Sequence, residues 1–248
     1  MWLVLCSSTD ISALWAWQGL RQLGLAPLEL VTTESLACSA RWEHRVTSSD
    51  TQLRITLADG RVIDSTKIRG VLNRVHVPSD YTVQQAVASD RDYAQAEMNA
   101  FYLSWLQGLP GVVINRPVPQ GLCGAWLHPS EWTERASRAG LRTCTYRQSA
   151  HDTQVQSGYQ QCRSFPSTQV HSLIALRSQV FGEPVPRSVA HACSQLVLDA
   201  NAELLGIDLA TDDTGSLTFT NAVPSPDLTI GGVPLLMRLA QILTGERP

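Results

Sequence analysis

The chain opens with six apolar residues, then Ser7-Ser8-Thr9-Asp10, and from 11 to 23 apolar side chains recur at helical spacing until Gly24. An apolar run that ends in capping residues before an amphipathic stretch predicts a strand feeding a helix. A second run, 28–31, completes a β-α-β unit, the building block of a parallel sheet. Between 53 and 63 apolar and polar positions alternate around Asp59-Gly60, a hairpin signature. Residues 70–75 read as another strand, broken by Pro78, and 81–109 as the longest helix, with Tyr93, Ala96, Ala100, Leu103 and Leu106 on its apolar face. Residues 111–115 read as a buried strand closed by Arg116-Pro117.

From 118 to 127 Pro and Gly dominate, which marks a crossing into a second lobe. There the pattern predicts a helix over 129–139 stopped by Gly140, a strand over 141–146, and a polar loop over 147–166. A strand pair over 170–176 and 179–181 follows, then a helix over 186–205 capped by Gly206. Two strands, 207–210 and 217–223, flank the turn Asp212-Asp213-Thr214-Gly215, and a helix over 233–243 closes the chain. The fold class is α/β, with α+β character in the second lobe, and the domains are 1–120 and 121–248.

Composition narrows the chemistry. A net charge of −3 over 248 residues, with scattered arginines, gives no footprint for nucleic acid. No run reaches membrane-span length, and the apolar N-terminus has no basic leader. The six cysteines, Cys6, Cys38, Cys123, Cys144, Cys162 and Cys193, show no CxxC pairing, so reduced thiols in a cytoplasm are expected. Lys67 is the one lysine among 19 Lys and Arg residues. Beyond it the chain has no ammonium to set against a phosphate, the role for which a compact mobile charge is suited.

The junctions between these elements resemble the ATP-grasp superfamily, in particular the ligases that modify ribosomally made peptides and the related glutamate ligases. Gly70–Arg74 (70–74) followed by Glu97 in a long helix resembles the lobe that precedes the grasp. Val112-Val113-Ile114-Asn115-Arg116-Pro117 is similar to the strand leading into it, and His128 to Thr145 to its first helix and strand. Leu205-Gly206-Ile207-Asp208-Leu209, Asp213-Thr214-Gly215 and Phe219-Thr220-Asn221-Ala222-Val223-Pro224-Ser225-Pro226 resemble the family's "GxD…DG…FLEVNPxP" stretch. The resemblance implies a two-lobed ATP-grasp-like architecture with an N-terminal parallel-sheet lobe and a grasp lobe. It places Asp208 and Asn221 as metal positions, and Arg74, Glu97 and Asn115 as substrate-binding ones.

This sequence departs from that pattern where phosphate chemistry is done. Asn221 stands at the family's Glu and Val223 at its Asn, and His128 replaces a nucleotide-contacting lysine. Magnesium prefers anionic oxygen ligands, so both changes weaken a site. Arg147, Arg163 and Arg177 are the remaining candidates for holding a nucleotide. The stretch 147–169 is short for a lid, so a truncated grasp lobe with a reduced or missing lid is expected.

The reading that follows is a non-catalytic ATP-grasp-like protein that binds a peptide, a small carboxylate or a partner protein as an accessory of a ligase-type pathway, with no cofactor. The rival is a minimal ATP-dependent carboxylate-amine ligase with magnesium on Asp208 and Asn221 and arginines on the phosphates. A third reading is a structural subunit that forms a homodimer. Arg74 and Glu97 form either a substrate-binding pair, which His76 could join, or a helix-to-strand salt bridge.

Overall fold

The computed structural model describes residues 1–48, 51–81, 83–146, 169–211 and 215–245. Arg147, Arg163, Cys162, the lid-length stretch and Asp212-Asp213-Thr214 lie outside them. The chain divides into two compact units, Met1–Ala125 with Gly232–Pro248, and Trp126–Gly231.

In the first unit β1 (Trp2–Cys6), β2 (Leu28–Thr32), β6 (Gly70–Asn73) and β7 (Val112–Ile114) form a parallel sheet in the order β2-β1-β6-β7. Helix α1 (Ile11–Gln22) crosses between the first two strands, as the opening pattern predicts. Side chains alternate between the faces. Leu3, Leu5, Val71 and Val113 enter a core shared with the antiparallel hairpin sheet β3 (Arg41–Val46), β4 (Thr51–Thr56), β5 (Val62–Asp64), while Val4, Leu72 and Ile114 are buried on the other side. Helix α6 (Gly232–Thr244) packs with α1, β6 and β7 in this unit, and the Trp2 indole donates to the Leu243 carbonyl at 3.0 Å. The closing helix therefore belongs by its contacts to the first unit.

Helix α3 (Arg91–Gln107) is shorter than the pattern predicts, because Val83–Gln85 and Ala88–Asp90 are separate 3-10 turns. Its buried face also differs. Met98, Phe101, Tyr102 and Trp105 pack on the core, whereas Tyr93, Ala96 and Ala100 are exposed. The reason is bulk: Trp42 of β3 offers a flat surface, and its ring lies 5.0 Å from Phe101 and 5.6 Å from both Tyr102 and Trp105. Such aromatic pairs add about 0.5–1.5 kcal/mol beyond burial. Neither β3 nor the short helix α2 (Thr33–Ala37) is predicted from the hydropathy pattern.

In the second unit β8 (Val170–Leu176), β9 (Gln179–Gly182), β10 (Leu204–Thr211) and β11 (Leu217–Val223) form an antiparallel sheet in the order β11-β10-β8-β9. Helices α4 (Pro129–Arg138) and α5 (Arg187–Asp199) share a core with Leu173, Ala175, Leu205, Ile207 and Leu209. Residues 141–146 form no strand, only a bridge of Thr143 with Phe219. Helix α5 stops before Gly206. Asn201, at φ 50°, makes the left-handed exit, and Gly206 lies inside β10 where an added Cβ would meet Pro226 Cβ at 2.6 Å. Glycine there serves close packing rather than capping.

The Tyr102 hydroxyl is buried with no hydrogen-bond partner. Replacing it by hydrogen keeps the ring and removes a desolvated dipole, so Tyr102→Phe is expected to stabilise the protein by about 1 kcal/mol. Urea unfolding should show a higher midpoint at unchanged slope; a lower midpoint would contradict the burial described.

Candidate functional site

Each unit concentrates polar side chains at one place. In the first, the chain leaves β1 toward β2 on one side and enters β6 on the other, so the strand order reverses between β1 and β6. Open parallel sheets bind ligands beyond the carboxyl ends of their strands at such a point. Arg74, just after β6, lies there and is 4% exposed. Its Nε donates to Asp10 Oδ2 at 2.7 Å and its Nη2 to Asp10 Oδ1 at 3.2 Å. Asp10 is also the N-cap of α1, accepting from Ala13 N at 2.9 Å. One carboxylate thus joins a helix N-terminus to a buried guanidinium.

Around the pair the carboxyl edge is polar and closed. Asn73 donates to the carbonyls of Asn115 and Leu122 at 2.9 and 2.7 Å, and the Cys123 thiol donates to the Asn73 carbonyl at 3.1 Å. Asn115 is buried at φ 57°, a left-handed conformation that asparagine tolerates better than most residues. Glu34 accepts from the Ser7 hydroxyl and Ser8 N–H at 3.1 and 3.0 Å; burial pushes its pKa up, but these bonds and its own backbone N–H bring it below the usual range. His76, exposed at the same edge, has its imidazole pKa lowered, by desolvation first and the Arg74 charge second, with Asp10 pulling the other way. Glu97 stands exposed on α3, and the ion pair of Arg74 goes to Asp10. Asp10 looks in the sequence like a helix cap alone.

In the second unit Asp208 of β10 pairs in register with Asn221 of β11 and with Ser172 of β8, so the three side chains stand side by side on one face of the sheet. Asp208 Oδ1 accepts from the Ser172 hydroxyl at 2.7 Å and Oδ2 from the Asn221 amide at 3.3 Å. A bulge after Asp208 lets the Thr220 hydroxyl donate to its carbonyl at 3.0 Å. Val223, opposite Gly206, lies two residues from Asn221 on the same face. The structure thus brings together Asp208 and Asn221 as the sequence comparison aligned them, and adds Ser172, which no spacing in the sequence reveals.

This donor set fits magnesium poorly. Both carboxylate oxygens are engaged by neutral donors, the neighbouring position is an alkyl group, and no cluster of three His, Cys, Asp or Glu suited to a metal occurs among the described residues. Arg177 sits in the β8–β9 turn at φ 54° and pairs with Glu203 at 2.8 Å. It is five residues along β8 from Ser172, about 17 Å at ~3.4 Å per residue, and so does not converge on Asp208. His128 caps α4, accepting from Ser130 N at 3.3 Å, with its ring 5.9 Å from that of Tyr146.

Beside the edge strand β9, a groove of about 350 Å³ is lined by Val180, Ala190, His191, Ser194 and Leu198. Elsewhere, Cys6, Cys38, Cys123 and Cys193 are free thiols, but Cys144 is disulfide-bonded, against the expectation of reduced cysteines throughout. No helix among the described residues is long and apolar enough to cross a membrane.

Two outcomes are expected from these geometries. Arg74→Leu leaves the half-buried Asp10 carboxylate beside an apolar group and should destabilise the protein by about 2–3 kcal/mol in chemical denaturation, while an exposed control such as Arg45→Leu should change stability little. Burial pushes the thiols of Cys6, Cys123 and Cys193 up to about 12. With a thiol-specific disulfide reagent at pH 8, Cys38 should therefore react at once and these three only on unfolding; fast labelling of Cys6, mapped by mass spectrometry, would contradict its burial.

No protein-family model and no curated protein matches the sequence. Solved structures do match its shape. The macrocyclase MdnC from Microcystis aeruginosa, bound with its precursor peptide MdnA, aligns at a TM-score of 0.73 and 12% identity over 99% of this chain and 100% of its own. The Chryseobacterium gregarium RiPP-associated ATP-grasp ligase, in complex with ADP and a leader and core peptide, aligns at 0.70 and 8% identity over 100% and 97%. The ATP-grasp ligase PsnB with a precursor variant, Mg and ADP aligns at 0.68 and 13% identity over 99% and 98%. At these identities the likeness is one of architecture, and the chain has the two-lobed ATP-grasp-like fold of these peptide ligases.

Proposed function

We propose that the protein is a non-catalytic relative of ATP-grasp peptide ligases that binds a peptide and serves as an accessory or regulatory factor in a ligase-type pathway. The observation that carries this reading is the row Ser172–Asp208–Asn221. A magnesium–triphosphate site needs several anionic oxygens turned toward the cation, and here the one carboxylate of the row is bonded to neutral neighbours. Val223 beside it and the ion pair of Arg177 with Glu203 point the same way.

A peptide ligand is favoured over a small carboxylate. The guanidinium suited to a carboxylate, that of Arg74, is bonded through Nε and Nη2 to Asp10. The edge strand β9 and the adjoining groove offer what an extended segment uses, backbone groups along an edge and apolar pockets beside them. The precursor peptides in the similar MdnC and Chryseobacterium structures agree with that choice of ligand.

Titration calorimetry with magnesium and ATP decides between this reading and a minimal ligase. No saturable heat is expected up to roughly millimolar nucleotide. Micromolar binding that disappears in Asp208→Ala, accompanied by ADP release in the presence of a peptide, would establish the ligase instead. Peptides selected on the native protein by display should lose binding to Leu198→Glu, which places a charge at the groove's rim.

A further inference from the structure

At one end of the second unit's sheet, residues from three strands bring a hydroxyl, an imidazole and a carboxylate into line. His171 is the second residue of β8, and its side chain continues the face of Leu173 and Ala175, the one covered by α4 and α5. Its Nδ1 lies 2.6 Å from Glu183 Oε2 and its Nε2 2.8 Å from Thr211 Oγ1. Thr211 ends β10, where its N–H donates to the Gln169 carbonyl at 3.0 Å, and Leu217 stands opposite it in β11. Glu183 follows β9 directly. Gly182, at φ 119°, turns the chain there in a conformation that favours glycine and aims Glu183 at His171.

The chemistry of the partners fixes where the protons lie. An ionised carboxylate only accepts, so Nδ1 carries a hydrogen and donates it to Glu183. In the neutral ring Nε2 is then the acceptor, and the Thr211 hydroxyl donates to it. A hydroxyl that donates to a base, with the base held in one tautomer by a carboxylate, is the arrangement that activates an oxygen nucleophile. His44 shows the contrast: it meets the Ser104 hydroxyl at 3.0 Å, but its Nδ1 is buried with no partner, so nothing sets its tautomer. The His171 side chain is 17% exposed and Thr211 is half-buried, so the pair is shielded and yet reached from solvent.

From this geometry we infer that Thr211, His171 and Glu183 form an acyl-transfer site for esters of short acyl groups. Thr211 Oγ1 attacks the ester carbonyl carbon while its proton passes to His171 Nε2. As the carbon–oxygen bond to the alcohol breaks, His171 returns that proton to the leaving oxygen, and the acyl group stays on Thr211. Water, losing a proton to His171, then releases the acid and restores the hydroxyl. Thr211 and His171 touch the reacting atoms, and Glu183 is a positioning residue. The half-buried Leu217 gives a short acyl chain an apolar neighbour. Ser172, the next residue of β8, faces the other side of the sheet, so this site is separate from the Asp208 row and uses no nucleotide.

A fluorophosphonate probe on the full chain tests this, because its leaving group needs no further activation and the label marks the attacking oxygen. A single label per chain, mapped by mass spectrometry to Thr211, is expected. Thr211→Ser removes only a methyl group and should react several-fold faster, whereas Thr211→Val should lose the label. His171→Gln, which lacks the base, should slow labelling by about 100-fold. With nitrophenyl acetate as substrate, Glu183→Gln should lower kcat at unchanged KM and Glu183→Asp should recover part of the loss, a split that a merely structural carboxylate would not produce. No label at position 211 in either the native chain or Thr211→Ser, a label that persists in Thr211→Val, or a rate indifferent to His171→Gln at unchanged circular dichroism would each overturn the assignment.

Discussion

A parallel sheet has two apolar faces and no tolerance for leaving either in water. In the first unit that constraint orders nearly everything else. One face of β2-β1-β6-β7 is covered by residues that follow in sequence, the hairpin sheet and α3, through the packing of Trp42 on Phe101, Tyr102 and Trp105. The other needs α1 and a further helix, and that helix comes from far along the chain: α6, sealed by the bond from Trp2 to the Leu243 carbonyl. The polar edge that results, with Arg74 and Asp10 at the point where strand order reverses, is a by-product of this coverage. Strand ends cannot be buried as strands are, so they collect the groups that hydrogen-bond.

The two polar clusters show opposite solutions to the same electrostatic problem. Arg74 is buried and Asp10 half-buried, and they satisfy each other through two hydrogen bonds, so the charge is compensated within the protein. Among the described residues Asp208 is held by dipoles, those of Ser172 and Asn221. A carboxylate held by a hydroxyl and an amide is stable without a cation, whereas a row of two or three carboxylates would repel itself until a metal arrived. Neutral side chains in such a row lower the mutual repulsion that a cation would otherwise relieve.

Much of the fold was legible wherever periodicity and punctuation agreed. The first strand and helix, the strands ending at Asn73 and Ile114, and the β8–β9 and β10–β11 pairs follow from apolar runs bounded by capping and turn residues. Strand β3, written Arg-Trp-Glu-His-Arg-Val, was not, because its reason for being a strand is a ladder with β4 and one indole on an aromatic helix, and neither is local. Gly206 misleads for a related cause: a glycine after a helical pattern reads as a cap, and only Pro226, brought close by the fold, shows why it lies in a strand. At the candidate site, Asp208 and Asn221 stood out through the resemblance of residues 205–226 to a known ligase stretch, while their facing each other across β10 and β11 depends on a bulge after Asp208 that the sequence does not show. Ser172 and Asp10 did not stand out, since strand order in space and a helix cap's second partner are decided by tertiary packing.

The return of α6 to the first sheet carries a consequence for the order of events during synthesis. The second unit is an insertion between two segments of the first, with Trp2 and Leu243 in contact across 241 residues of chain. Trp126–Gly231 has its own core and can condense as soon as it emerges, but the sheet that begins with the first strand keeps one face incompletely covered until the last helix arrives. Strand β1 is thus sealed only once α6, 241 residues beyond Trp2 at Leu243, has been made, and until then its uncovered face depends on other nascent segments, or on a chaperone, to keep it from pairing elsewhere.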